Sequence, residues 1–243
     1  MIRVIYGEVV KTLELSIDQY DTCFMDPPDN IGLKYSYYKD KCPRDRYLTN
    51  ISLAVLRATS VSKVTWLSFN SKWMLDVHNF VSYLDREEFD IRVCVQPYTF
   101  YQHNHNDLGS GYRPLLRIMR KGSPIFPDRI RVESERQKAG DKRADPRGKV
   151  PSDVFDFPRV TGNSKQRRSW HPTQLHEGLV ERCLLLHTPD GGRVLDLFGG
   201  TGTTSRVADR LGFHCDYIDL DLDYCNHVAQ EFGVGVTYGL CNS

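Results

Sequence analysis

Apolar positions along this chain follow two alternating patterns. Short runs of Val, Ile, Leu and aromatic residues fall at residues 3–6, 22–25, 64–69, 89–95, 115–119, 193–197 and 214–218. Runs of this length between turn formers suit buried strands. Between them the apolar residues recur at helical spacing. Leu48, Ile51, Leu53, Val55 and Leu56 supply an apolar face to a helix over residues 44–59. Ser71 is placed to cap a second helix running to about residue 84, and further helices are predicted over 174–187, 203–211 and 221–231. Strands alternating with helices imply an α/β architecture, with a mostly parallel sheet and helices on both faces.

Two features interrupt that rhythm. The strand at 22–25 runs into Asp26-Pro27-Pro28, and two prolines cannot continue a central strand, so the chain leaves the sheet there. Residues 122–170 are rich in Pro, Gly, Arg and Lys, show little periodicity and exceed an ordinary connection. They are expected to be an insertion between a first part, 1–121, and a second, 171–243, or else a disordered arm.

Composition excludes several classes. With 243 residues, 40% hydrophobic and 26% charged, the chain suits one globular domain carrying an insertion. No stretch nears the roughly 20 apolar residues of a membrane span, and the chain opens as strand with no signal-peptide pattern, so a cytoplasmic setting is expected. The seven cysteines are odd in number and form no C-x-x-C pair, which argues against a disulfide framework and a zinc site. His103, His105 and Asp107 could ligate a metal, but they fall in a Gly/Asn-rich loop at 102–111, read as a polar loop near substrate; no metal is expected.

The net charge of +1 hides an asymmetry. Residues 113–168 hold sixteen Lys and Arg against seven Asp and Glu, an excess of nine positive charges, which leaves the remainder about eight negative. A stretch this basic is the footprint expected for a phosphate backbone, or it is a solvated loop.

Two motifs carry chemistry. Val194-Leu195-Asp196-Leu197-Phe198-Gly199-Gly200-Thr201-Gly202-Thr203-Thr204 ends a strand in a glycine-rich turn that opens a helix, so a ligand can approach bare backbone. A second strand ends at Asp219, placed for its carboxylate to take the two hydroxyls of a ribose. NAD and S-adenosylmethionine both fit that spacing, although Gly200-x-Gly202-x-x-Ser205 lacks the third glycine of the NAD fingerprint.

Asp26-Pro27-Pro28-Asp29 suggests the reaction. The lone pair of an exocyclic base amine is delocalised into the ring, so the amine is a poor nucleophile. A carboxylate and a carbonyl that both accept from the NH2 group draw the nitrogen towards tetrahedral geometry. The prolines lock the backbone and set the Pro27 carbonyl beside the Asp26 carboxylate.

Taken together these motifs resemble the amino-group DNA methyltransferases (N6-adenine and N4-cytosine), in the permuted order in which D-P-P-Y precedes F-x-G-x-G. Tyr6-Gly7-Glu8 looks like the family's opening strand and acidic turn, and His171-Pro172-Thr173-Gln174 like its H-P-T-Q. The run from Glu135-Arg136-Gln137 to Asp141-Lys142-Arg143-Ala144-Asp145-Pro146 is similar to a phage and bacterial subgroup. The resemblance implies a Rossmann-like S-adenosylmethionine-dependent methyltransferase fold and methylation of a base in double-stranded DNA, adenine N6 being favoured because N4-cytosine enzymes more often begin the motif with Ser. It implies catalysis by Asp26, Pro27, Pro28 and Asp29. The cofactor contacts it implies are Glu8, Asp26, Thr173, Asp196, Phe198, Gly199, Gly200, Thr201, Gly202, Thr203 and Asp219, with the basic insertion as the target-recognition region. Lys34, Tyr35, Arg136, Lys142, Arg143, Arg167 and Arg168 are the candidate DNA contacts, the arginines and Lys142 chiefly to phosphate.

This chain departs from the family at two places. Members usually have Tyr, Phe or Trp after the prolines, and Asp29 stands there instead. A carboxylate cannot stack, so either Tyr35, Tyr37 or Tyr38 takes over, or Asn30 and Asp29 read the base by hydrogen bonds, or the enzyme is weak. Leu175-His176 replaces the usual Lys-Pro after H-P-T-Q. Trp66, Trp73 and Trp170 are read as core or joint residues. Two rival functions are a silent nucleic-acid-binding partner subunit and a nicotinamide-dependent oxidoreductase. The sequence does not decide between a monomer and a homodimer.

Overall fold

In this computed structural model, residues 1–14, 19–98 and 105–240 are described. The first half runs β1 (Ile2–Tyr6), α1 (Val9–Glu14), β2 (Tyr20–Met25), α2 (Arg44–Val61), β3 (Ser62–Ser68), a 3-10 turn (Ser71–Trp73) and α3 (Met74–Val81). The hairpin strands β4 (Phe89–Pro97) and β5 (Tyr112–Arg120) follow. After a 3-10 turn (Pro127–Ile130) and the single turn α4 (Glu135–Lys138) come α5 (Glu177–His187), β6 (Arg193–Leu197) and α6 (Thr203–Arg210). The chain finishes with β7 (His214–Asp219), α7 (Leu222–Phe232) and β8 (Val236–Tyr238).

All eight strands join one sheet, ordered β4-β5-β3-β2-β6-β7-β1-β8, in which only β5 runs against its neighbours. Alternation along the strands divides the core in two. Cys23, Met25, Leu195 and Leu197 face α1, α2 and α3, where Val9, Leu13, Ile51, Val55 and Val77 meet them. Phe24, Val64, Trp66 and Val194 face the other way, onto Leu179, Val180 and Leu184 of α5, Val207 of α6 and Val228 of α7. The result is the Rossmann-like three-layer arrangement expected from the alternating pattern.

Local chemistry moves several boundaries. Asn70, itself a good capping residue, accepts from the Lys72 N–H, so Ser71 opens a 3-10 turn and α3 spans only Met74–Val81. Residue 174 lies before its predicted helix because the Gln174 side chain is engaged by Arg168 N–H and Gln166 carbonyl. His176 then caps α5 at Gly178. The short α1 and β8 show no period in the sequence and are additions.

Residues 122–170 are held to this core. Backbone bonds from Val95 N–H to Asp153 O and from Phe155 N–H to Val95 O run the segment beside β4, and Phe155 is buried with its ring 5.8 Å from that of Trp66. Ser134 and Gln137 form a reciprocal capping box at α4. Among the described residues no helix is long and apolar enough to cross a membrane.

Phe24 is 1% exposed at the centre of the sheet. Phe24→Ala is expected to lower unfolding free energy by about 3–5 kcal/mol in urea titrations; a loss below about 1 kcal/mol would place this ring outside the main core.

Candidate active site

Parallel pairing assembles the site. Met25 of β2 lies opposite Leu197 of β6, so Asp26 and Phe198 leave the sheet side by side. Leu197 pairs with Ile218 of β7, and Asp219 pairs with Tyr6 of β1, which leads into Gly7 and Glu8. Asp26, the glycine turn, Asp219 and Glu8 therefore line one carboxyl edge. From β2 the chain moves outward to β3, and from β6 it moves the opposite way to β7, so the crevice lies at a topological switch point.

The glycine turn is tightly folded. Gly199 N–H donates to Ile218 O at 3.0 Å, Gly202 N–H to Gly199 O at 2.8 Å, and the buried Tyr217 hydroxyl to Gly200 O at 2.9 Å. Phe198 adopts φ +62°, a left-handed conformation costing about 1–3 kcal/mol for a non-glycine residue. A side chain on Gly199 would put Cβ 2.1 Å from the Tyr217 ring, so the backbone must stay bare. Thr201 and Thr203 hydroxyls pair at 3.0 Å, and α6, whose N-cap is Gly202, starts with no side-chain cap.

Asp219 accepts from Gly200 N–H at 2.7 Å and from Asp221 N–H at 2.9 Å. Burial pushes its pKa up to about 6 against those bonds. This carboxylate beside a bare turn suits the hydroxyls of a nucleoside. Asp196 sits behind the turn, buried on the face of Val194 near the Thr204 and Ser205 hydroxyls, and burial holds its pKa well above the usual range. Glu8 spends both carboxylate oxygens on Val10 and Lys11 N–H, capping α1. Thr173 is exposed, and its side chain bonds the Tyr35 hydroxyl.

The Asp26 end holds a residue the sequence reading missed. Arg113, near the start of β5, donates from Nη2 to Asp26 at 2.7 Å, from Nη1 and Nη2 to the two Asp29 oxygens at 2.8 and 3.1 Å, and from Nε to Ser68 Oγ at 2.7 Å. Burial lifts the Asp26 carboxyl above its usual range, while Arg113 opposes that lift and Asp29 adds to it. No described residue donates to the Pro27 carbonyl.

Asp29 and Asn30 are engaged within the protein: both Asp29 oxygens accept from Arg113, and the Asn30 amide is bonded in both directions to the Cys42 backbone. Trp73 Nε1 donates to Asp29 O at 2.8 Å. Beyond them, the Asp40 carboxylate accepts from the N–H groups of Asn30, Ile31, Gly32 and Leu33 at 2.7–3.1 Å, closing residues 30–40 into a compact loop. Tyr35 from this loop lies 5.5 Å from the His171 ring, and burial lowers His171 to about 4, a neutral imidazole at working pH. Lys34 and Tyr37 are exposed on the same loop.

Acids already pair much of the basic stretch. Arg143 binds Asp141, Arg147 binds Asp145, Arg131 binds Asp128 and Arg168 binds Glu231. Arg167 donates to His171 O and Pro172 O beside the glycine turn. Arg136 and Lys142 are exposed, and among the described residues neither forms an ion pair. Trp66 and Trp73 are buried, while Trp170 stacks on His227 at 4.5 Å. His103 lies outside the described residues, and among those described no group of three metal-ligating side chains forms.

The N6/N4 methyltransferase model, described as DNA methylase, matches residues 20–231. DNA adenine methyltransferase YhdJ of Escherichia coli is 27% identical over 254 residues, spanning 97% of this chain and 84% of that protein. Type II methyltransferase M.ScaI of Streptomyces caespitosus is 37% identical over 106 residues, but these are 39% of this chain and 34% of that protein. The crystal structure of the M1.HpyAVI-SAM complex shares the fold, with a TM-score of 0.63 at 15% identity, covering 96% of this chain and all of that one. With its family model matched across most of its length and its glycine turn set beside the Asp26 tip, this chain belongs to the N6/N4 DNA methylases, which take their methyl group from S-adenosylmethionine.

Proposed function

We propose that the protein methylates adenine N6 in duplex DNA, acting on a base extruded from the helix. The observation that carries this reading is the meeting of two acceptors, the Asp26 carboxylate and the Pro27 carbonyl, with the glycine turn across the β2–β6 pairing. A paired amine inside the base stack cannot reach such a recessed edge, so the base must leave the duplex. Asp26 and Pro27 O then each accept one amine hydrogen and turn the nitrogen lone pair out of the ring. The cofactor supplies an electrophilic methyl group on a sulfonium. Asp219 and the bare turn at Gly199 and Gly200 would hold its nucleoside end; Glu8, Thr173, Phe198, Thr201, Gly202 and Thr203 would shape the same wall, with Asp196 supporting the turn from behind. Support for adenine comes from Asp at the first motif position and from the near full-length likeness to an adenine methyltransferase.

In this reading residues 122–170 face the DNA. Arg136 and Lys142 are the phosphate contacts, because among the described residues no ion pair engages them; Arg143 and Arg168 would have to exchange Asp141 and Glu231 for phosphate, and Arg167, Lys34 and Tyr35 complete the candidate contacts. The setting is the cytoplasm of a bacterium or a phage-infected cell.

The base is tested by digesting DNA from cells expressing the protein to nucleosides: N6-methyladenine is expected by mass spectrometry, and N4-methylcytosine alone would overturn the adenine assignment. Asp26→Ala is expected to cut turnover by a factor of about a hundred or more while S-adenosylhomocysteine still binds.

Because the Asp219 pKa lies at about 6, protonation at lower pH removes an acceptor from the ribose hydroxyls. Calorimetric affinity for S-adenosylhomocysteine is expected to rise with pH through about 6 and then level, and Asp219→Asn to be weak and flat across that range. Arg136→Ala and Lys142→Ala should each weaken DNA binding evenly across sequences and reduce the salt slope by about 1; loss confined to one sequence would instead make them base readers.

A further inference from the structure

Asp29 poses the sharpest question at this site, since it is the one residue of the D-P-P motif that cannot perform its family's usual task. We propose that Arg113 and Asp29 form a positioning unit for Asp26, and that Asp29 follows the prolines in order to hold this guanidinium rather than a base. The inference rests on the reading that Asp26 aims the target amine.

Geometry carries it. Arg113 reaches the site from the antiparallel strand β5, and Ser68 at the end of β3 fixes its Nε at 2.7 Å. The two ends of the guanidinium meet the two oxygens of Asp29 in a fork, at 2.8 and 3.1 Å, which sets the plane of the group. From that plane Nη2 reaches one oxygen of Asp26 at 2.7 Å, and the Ser68 hydroxyl, which holds Nε, also bonds this carboxylate. The Arg113 and Asp29 side chains are only 12% and 11% exposed, against 25% for Asp26. The outer member of the trio faces the crevice and the inner two support it.

The charges have a purpose too. A lone arginine on Asp26 would cancel the negative charge that must attract the amine. With Asp29 sharing the guanidinium, the trio keeps a net charge of minus one, and Asp26 remains an acceptor. Without Arg113, two carboxylates would face each other with no counter-ion, and burial would drive Asp26 towards its protonated form. The groups facing Asp26 are Arg113 of β5, Ser68 of β3, Asp29 of its own turn, Tyr35 of the following loop and Asp196 of β6.

The test combines turnover, its pH profile and a direct titration. In Arg113→Met, kcat is expected to fall about a hundredfold, S-adenosylhomocysteine affinity to stay within about twofold, and the acid limb of kcat to move to higher pH. Arg113→Lys keeps the charge but not the fork, so its limb should stay near the wild-type position while kcat falls partway. Asp29→Tyr, which installs the family's usual residue, is expected to lower kcat at least as far as Asp29→Asn. Wild-type turnover in Asp29→Tyr, or a loss in Arg113→Met with an unmoved limb, would overturn the proposal and leave a purely structural ion pair. Carbon-13 NMR titration of Asp26 reads the same shift without turnover. A wild-type protein that transfers no methyl group to mixed genomic DNA would sink the functional reading, whereas an Asp26 titration unchanged in Arg113→Met would sink this one. Should Arg113→Met fail to fold, Asp29→Asn, in which an amide can accept only one arm of the fork, carries the titration.

Discussion

Met25 and Leu197 stand opposite one another in adjacent parallel strands, and the site depends on that register. A β-strand alternates its side chains with a period of two, so a slip of one residue would turn Met25 and Leu197 out of their core cluster. It would also separate Asp26 from the glycine turn by a full residue rise. Burial of Cys23, Met25, Leu195 and Leu197 against one helical layer, and of Phe24 and Val194 against the other, therefore fixes the chemistry as firmly as it fixes the fold.

The carboxyl edge gathers more acid than base. Asp26, Asp29, Asp196 and Asp219 lie along it, and burial raises the pKa of three of them: Asp26, Asp196 and Asp219. Each of those three has a distinct compensation: a guanidinium for Asp26, threonine and serine hydroxyls for Asp196, backbone N–H groups for Asp219. Such an edge attracts cationic and hydrogen-bond-donating groups.

The sheet was legible in the sequence because short apolar runs alternate with helical spacing, and at the two central strands a breaker follows closely, Pro27 after β2 and Gly199 after β6. Local cues also placed Asp26, Asp219 and the turn on strand ends. Arg113 was not legible, because its role depends on a crossing of β5 against β3 that no nearby residue specifies. An arginine beside Pro114 just ahead of an apolar run, together with an Asp that had no evident task, was the available signal. The net charge of 113–168 was legible, but not which basic residues pair: the pairs of Arg143 with Asp141 and Arg147 with Asp145 form over two residues. Helix starts at 71 and 174 failed where neighbouring side chains, Asn70 and Gln166, competed for the same backbone groups.

One acidic side chain organises the loop after the prolines. Four consecutive N–H groups converge on Asp40, an arrangement that otherwise captures a phosphate or another external anion. Since the loop carries its own guest, its backbone is fixed from within, and those four N–H groups are already spent on a carboxylate of the same chain.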